Sequence, residues 1–161
     1  MAEPGAASGT LALLGACGLY CGACPHYRAS LPEGRHVLER ALRQGRERDG
    51  YVCSGCRSPA LYVHPGCSRC AIRACTEERG LLHCGLCPDL PCQRLLAFRD
   101  DGHLHHLDVL EALRELAALG PERWLAGQAR RWTCVCGAPF SWYEARCARC
   151  GWPLDSYGTH S

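Results

Sequence analysis

The sequence predicts a small metal-stabilised α+β fold: an α-rich domain of cysteine knuckles, a helical spacer, and a C-terminal zinc-ribbon hairpin. Three observations carry this. Fifteen of the 161 residues are cysteine, and eleven of them precede residue 93. Beyond that block, apolar residues recur at helical spacing over 105–119. Two last cysteine pairs, Cys134/Cys136 and Cys147/Cys150, each stand before a glycine with ten residues between them.

Hydrophobic residues make up 47% of the chain, but the cysteines are counted among them and there are only two Phe and one Met, so the aliphatic core is thin. Cysteine above about 8–10% of a short chain means disulfides in an oxidising compartment and metal ligation in a reducing one. Leu14-Gly15-Ala16-Cys17 matches the short consensus before a lipid-modified cysteine. Residues 1–10, however, hold Glu3 and no positive charge, and the apolar run is shorter than the roughly 7–15 residues of a signal peptide. No window approaches the roughly 18 apolar residues of a membrane helix. The expectation is a soluble, cytoplasmic protein with no membrane partner and with thiolates free for metal, and the odd cysteine count points the same way. Net charge is +2 and all eighteen basic residues are Arg, which assigns no function. The positive excess sits late: residues 121–154 carry five Arg against Glu122 and Glu144.

In chain order, residues 1–14 read as a disordered leader and 15–100 as the cysteine-rich metal-binding domain. Inside it, Val37, Leu38 and Leu42 mark an amphipathic helix closing at Asp49-Gly50. Pro59, Pro65 and several Gly and Ser make 51–66 an irregular loop. Cys67–Arg79 reads as a helix ended by Gly80, and a short helix follows Pro91 through Leu95, Leu96 and Phe98. Residues 101–131 form the helical spacer: Leu107, Leu110, Leu113, Leu116 and Ala117 share one face of a helix over 105–119, and Gly120-Pro121 stops it and starts a second helix over 121–131. Residues 132–154 are the zinc ribbon and 155–161 a tail.

Zinc takes four soft ligands at the corners of a tetrahedron, and a CxxC turn lets two thiolates reach one ion. Four such turns occur early: Cys21/Cys24, Cys53/Cys56, Cys67/Cys70 and Cys84/Cys87. They are arithmetic for two four-thiolate sites, with Cys17, Cys75 and Cys92 left to complete a third beside His26, His64 or His83, or to replace members of the first two. The pairing stays open. An internal repeat adds to this, since Leu19-Tyr20-Cys21-Gly22-Ala23-Cys24-Pro25 aligns without a gap on Leu82-His83-Cys84-Gly85-Leu86-Cys87-Pro88. Cys17-x3-Cys21-x2-Cys24 is also the spacing by which radical S-adenosylmethionine enzymes hold a [4Fe-4S] cluster, but the barrel those enzymes need is missing. A fully ligated cluster using Cys17, Cys21, Cys24 and a distant cysteine such as Cys92 is the rival to zinc.

Cys134, Cys136, Cys147 and Cys150 form the two halves of the ribbon, the first knuckle one residue short. All four Trp, Phe140 and Tyr143 lie in or just before it, beside Arg130, Arg131, Arg146 and Arg149. Basic residues among aromatics suit stacking on nucleic-acid bases; the alternative is that these rings pack on the Trp124 helix. His103, His105 and His106 read as a solvated capping stretch. Cys75, near Arg73 and Arg79, is the candidate for a reactive thiolate. Neither is assigned catalysis, and a binding role is favoured over an enzyme.

The succession CGLYCGACPHY, CSGC, CSRCAIRACTEERGLLHCGLCPDLPC, then LGPERWLAGQARRWTCVCG and CARCG, resembles the cysteine-rich prokaryotic proteins grouped as domain of unknown function 3795. The resemblance covers about residues 15–151. It implies metal binding through Cys17, Cys21, Cys24, Cys53, Cys56, Cys67, Cys70, Cys75, Cys84, Cys87 and Cys92, with the ribbon as a C-terminal extension, and it implies no reaction. The expected protein binds about three zinc ions and serves as an interaction or regulatory module, with a protein or nucleic-acid partner reached through the ribbon. The alternative is one [4Fe-4S] cluster plus zinc, used in electron transfer or redox sensing.

Overall fold

The computed structural model describes residues 10–58 and 64–160. Residues 1–9 of the expected leader, 59–63 of the expected loop and 161 of the tail lie outside the described residues. Among these the fold is helix-rich and β structure is confined to isolated bridges. The helices are α1 (Pro25–Arg28), α2 (Arg35–Arg43), α3 (Arg48–Tyr51), α4 (Pro65–Ser68), α5 (Ala71–Glu78), α6 (Gln93–Arg99), α7 (Val109–Leu119) and α8 (Pro121–Arg131). No helix is long and apolar enough to cross a membrane.

The two spacer helices supply the centre of the main core. Val109, Leu113 and Leu116 of α7 are fully buried with Trp124 and Leu125 of α8, and Leu14, Ala16, Ile72 and Leu95 close on them. The buried stripe runs i, i+4, i+7, the period of a helix packed along one side. The helix begins at Val109 rather than at 105, because Leu104–His106 forms a separate 3-10 turn, and Leu107, expected on the apolar face, is 52% exposed.

Cysteine turns interrupt the other expected helices. The single helix expected over 67–79 is split into α4 and α5, because Cys70 takes an extended conformation while its N–H closes on the Cys67 carbonyl at 3.2 Å. Helix α2 stops at Arg43, before the Gly50 stop, and α3 follows as one turn.

A second, smaller core holds Trp132, Phe140, Trp142 and Leu154 together with Ala23 from the first knuckle. Residues 154–160 fold back onto the body: the Ser156 hydroxyl donates to the Glu144 carbonyl at 2.7 Å, and the Tyr157 hydroxyl donates to Asp108 Oδ2 at 2.8 Å. Glu144, 3% exposed, accepts the Ser141 N–H at 2.6 Å and pairs with His36 of α2, so the turn between the last two cysteine pairs is tied to the N-terminal half.

Candidate metal centres

The last four cysteines converge. Cys134 donates its N–H to the Ala138 carbonyl at 2.8 Å, and Cys147 donates to Trp152 at 2.9 Å, so each knuckle is a tight reversal. An antiparallel bridge flanks each one, Thr133 with Pro139 and Arg146 with Pro153. The shortened first knuckle closes by a Gly137 N–H to Cys134 carbonyl bond, whereas the longer second one closes from Gly151 to Cys147, one residue further along. Both closing glycines have positive φ, 84° and 73°, a conformation that a side chain resists. The missing residue is thus absorbed by a tighter turn.

Cys134 Sγ lies 3.6 Å from Cys150 Sγ, and Cys136 Sγ lies 3.6 Å from Cys147 Sγ. All four sulfurs fall within 4.8 Å of one another. A tetrahedron with metal–sulfur bonds of about 2.3 Å has edges of about 3.8 Å, so the donor set fits one zinc-sized ion. Burial opposes ionisation of Cys147, but N–H groups of Cys150 and Arg149 and the neighbouring thiols bring it down to about 7. A Trp152 N–H favours the Cys150 thiolate, yet burial and the other three sulfurs push that thiol up to about 12. Four sulfurs this close cannot all ionise unless a cation lies among them.

The eleven earlier cysteines are arranged differently. Cys17, Cys21, Cys24, Cys56, Cys67 and Cys70 line one cavity of about 440 Å³. His26, His64, Phe98, His105 and Trp142 complete its wall, with the His26 and His64 rings 4.0 Å apart. Burial holds Cys17 and Cys21 well above the ordinary thiol value, Cys67 at about 12 and Cys24 at about 11, and nearby thiols add to the rise. Cys53 is buried beside this group, its sulfur accepting the N–H of Gly55 and of His64 at 3.4 Å each. Cys75, Cys84, Cys87 and Cys92 line a separate cavity of about 290 Å³. The three cysteines left over by the CxxC arithmetic therefore divide, Cys17 to the first cavity and Cys75 and Cys92 to the second. Cys92 does not join Cys17, Cys21 and Cys24.

The sequence repeat is also a structural one. Cys21–Ala23 and Cys84–Leu86 are both 3-10 turns, closed by the second cysteine's N–H on the first cysteine's carbonyl at 2.9 and 3.0 Å. In each, the ring preceding the first cysteine covers the glycine: a Cβ on Gly22 would collide with Tyr20, and one on Gly85 would lie 2.8 Å from His83 Nδ1. The repeated aromatic-Cys-Gly is a packing unit, and each copy faces its own cavity.

Among the described residues, Asp101, His103 and His106 are the other set with ligand atoms within 4.8 Å. Asp101 Oδ1 lies 2.9 Å from Nδ1 of both imidazoles and accepts the His103 N–H at 3.1 Å, so this group caps the turn leading to α7. The sequence marks Asp100-Asp101-Gly102 as a turn, and the contact of the Asp101 carboxylate with His103 and His106 is what it does not indicate. Trp142 as a cavity wall had no sequence signal. Three of the four Trp are buried, and Trp152 is the exposed one.

A family model described as "Protein of unknown function (DUF3795)" matches residues 13–97. No curated protein and no solved structure matches the chain. The match contains every cysteine of the two cavities and ends before the converged C-terminal four. Covering more than half of the sequence, it shows that the chain belongs to the DUF3795 family of proteins of unknown function.

Proposed function

We propose that this is an iron–sulfur protein of electron transfer or redox sensing, whose C-terminal knuckles are locked by a structural zinc ion. One contrast carries the reading. Four sulfurs at the C-terminus close to single-ion distances, while six cysteines surround a cavity of about 440 Å³ in which no three sulfurs come within 4.8 Å of one another. A cluster binds each thiolate to a different iron and so holds its ligands farther apart than one ion does. Six thiols offer the four that a [4Fe-4S] cluster takes, and Phe98, Trp142 and imidazoles form part of the wall. When bound, such a cluster supplies one-electron redox chemistry at a potential set by burial and hydrogen bonds to sulfur.

Zinc in the ribbon is supported by the four-thiolate geometry, which leaves no open position for a substrate. Burial of Trp124, Trp132 and Trp142 supports a packing role for the ribbon aromatics over base stacking. The test is the visible spectrum and metal content of full-length protein purified without oxygen. A brown protein with iron and about one zinc per chain supports the reading, and a colourless one with about three zincs overturns it.

A further inference from the structure

The second cysteine cavity is built from three separate segments. Cys75 projects from the middle of α5, Cys84 and Cys87 open and close the 3-10 turn, and Cys92 immediately precedes α6. Leu81, Leu90 and Leu95 line it together with polar side chains that include Thr76, Arg79 and Asp89, and Leu95 belongs to the main core. Sequence separation alone does not require these four thiols to meet, since sixteen residues lie between Cys75 and Cys92, with the 3-10 turn among them. They face one space of about 290 Å³, and burial, followed by the effect of Cys92, Cys75 and Cys87, pushes the Cys84 thiol up to about 11.

Three further features bear on what fills it. Arg79 Nη1 donates to Cys87 Sγ at 3.4 Å and to Asp89 Oδ2 at 2.7 Å, so a half-exposed guanidinium paired with a carboxylate places an N–H against one sulfur. Hydrogen bonds to ligating sulfurs are one of the ways a protein tunes a cluster's potential. The four sulfurs also do not close on one point: no three lie within 4.8 Å of one another, unlike the C-terminal set. The knuckle has the same turn and the same ring-over-glycine packing as Cys21–Cys24.

We propose that Cys75, Cys84, Cys87 and Cys92 hold a second [4Fe-4S] cluster, one thiolate to each iron, in a pocket of its own beside the first. The two centres share a frame, for the Cys84 N–H donates to the Ala16 carbonyl at 2.9 Å, next to Cys17. The proposal extends the iron–sulfur reading to a site whose ligands are disjoint from those of the first cavity, so each centre fails or stands by its own variants.

The test uses full-length wild type, Cys84→Ser/Cys87→Ser and Cys17→Ser/Cys21→Ser/Cys24→Ser, each loaded anaerobically with ferric iron, excess thiol reductant and sulfide; the triple variant leaves three thiols lining the first cavity, one fewer than a cluster takes. Wild type should bind about eight irons and eight sulfides, and each variant about four, with about one zinc throughout. Electron paramagnetic resonance of the reduced wild type should show two magnetically interacting centres, and of either variant a single isolated one. Full iron retention in Cys84→Ser/Cys87→Ser overturns the proposal while leaving the first cavity's centre standing. Loss of all iron there, with none lost in Cys17→Ser/Cys21→Ser/Cys24→Ser, supports the second site and overturns the first. Should a variant lose its ribbon zinc and unfold, the wild type decides: about four irons and one non-interacting signal overturn the proposal.

Discussion

Trp142 donates its backbone N–H to the carbonyl of Ala23 at 3.0 Å, and the residue both belongs to the second core and lines the first cysteine cavity. The C-terminal site and the first cavity are therefore mechanically joined through one residue. Replacing Cys134 and Cys147 by Ser should remove one zinc per chain and cost several kcal/mol of stability, since metal binding in such knuckles is folding energy. Because Trp142 loses its support, the centre in the first cavity should bleach faster in air than in wild type. Zinc analysis and the decay of visible absorbance check the two parts.

Truncating Leu113 should be costly to the helical core. It is fully buried, a Cβ on Gly18 would lie 2.8 Å from its Cγ, and a Cβ on Gly85 would lie 2.6 Å from its carbonyl oxygen, so both cysteine loops rest on it. Leu113→Ala should cost about 2–5 kcal/mol. Leu107→Ala, at a half-exposed position, should stay within about 0.5 kcal/mol. Urea denaturation of the metal-loaded protein measures both.

Glu144 holds the turn between the last two cysteine pairs. Glu144→Ala leaves the buried Ser141 N–H without its acceptor and His36 without its partner. The expected loss is about 1–3 kcal/mol, with Glu144→Gln losing less because it keeps an acceptor oxygen. The midpoint of thermal unfolding should rank the three proteins in that order.

The elements that local periodicity controls were legible in the sequence. Helix α8 spans the predicted Pro121–Arg131, because Pro at its first position and the preceding glycine fix its start. Helices whose ends are set by cysteines were not legible in the same way: the 67–79 segment has helical character throughout, but Cys70 must leave the helix for its sulfur to face the first cavity. The pairing of cysteines was illegible for the same reason, since it depends on how α5 and α6 lie against α7. The repeat was visible as letters, and its meaning, a ring laid over a glycine, needed three dimensions. Ten residues between Cys136 and Cys147 suggested a hairpin, but Glu144 draws its carboxylate inward to Ser141, and the segment turns on that bond.

Acid should weaken the fold through His105, whose ring stacks on Trp142 at 4.3 Å and lies 2.6 Å from the Tyr143 hydroxyl. Burial, and then the charges of His106 and His103, lower its pKa to about 3. The unfolded chain takes up this proton near pH 6.5, well before the folded one does, so the contribution is complete above about pH 6.5 and falls as pH drops toward 3. His105→Phe, which keeps the stacking, should therefore lose less stability than wild type between about pH 7 and pH 5. Denaturation curves at the two pH values give the comparison.

The proposal that the family segment carries iron–sulfur chemistry, apart from the four-cysteine site at the C-terminus, has a direct test. Acid-labile sulfide in protein isolated and kept anaerobic tests it most directly, because zinc bound to cysteine releases none. The account predicts sulfide equal to iron, at about four or more per chain, beside about one zinc. Sulfide at background with about three zincs per chain would contradict it.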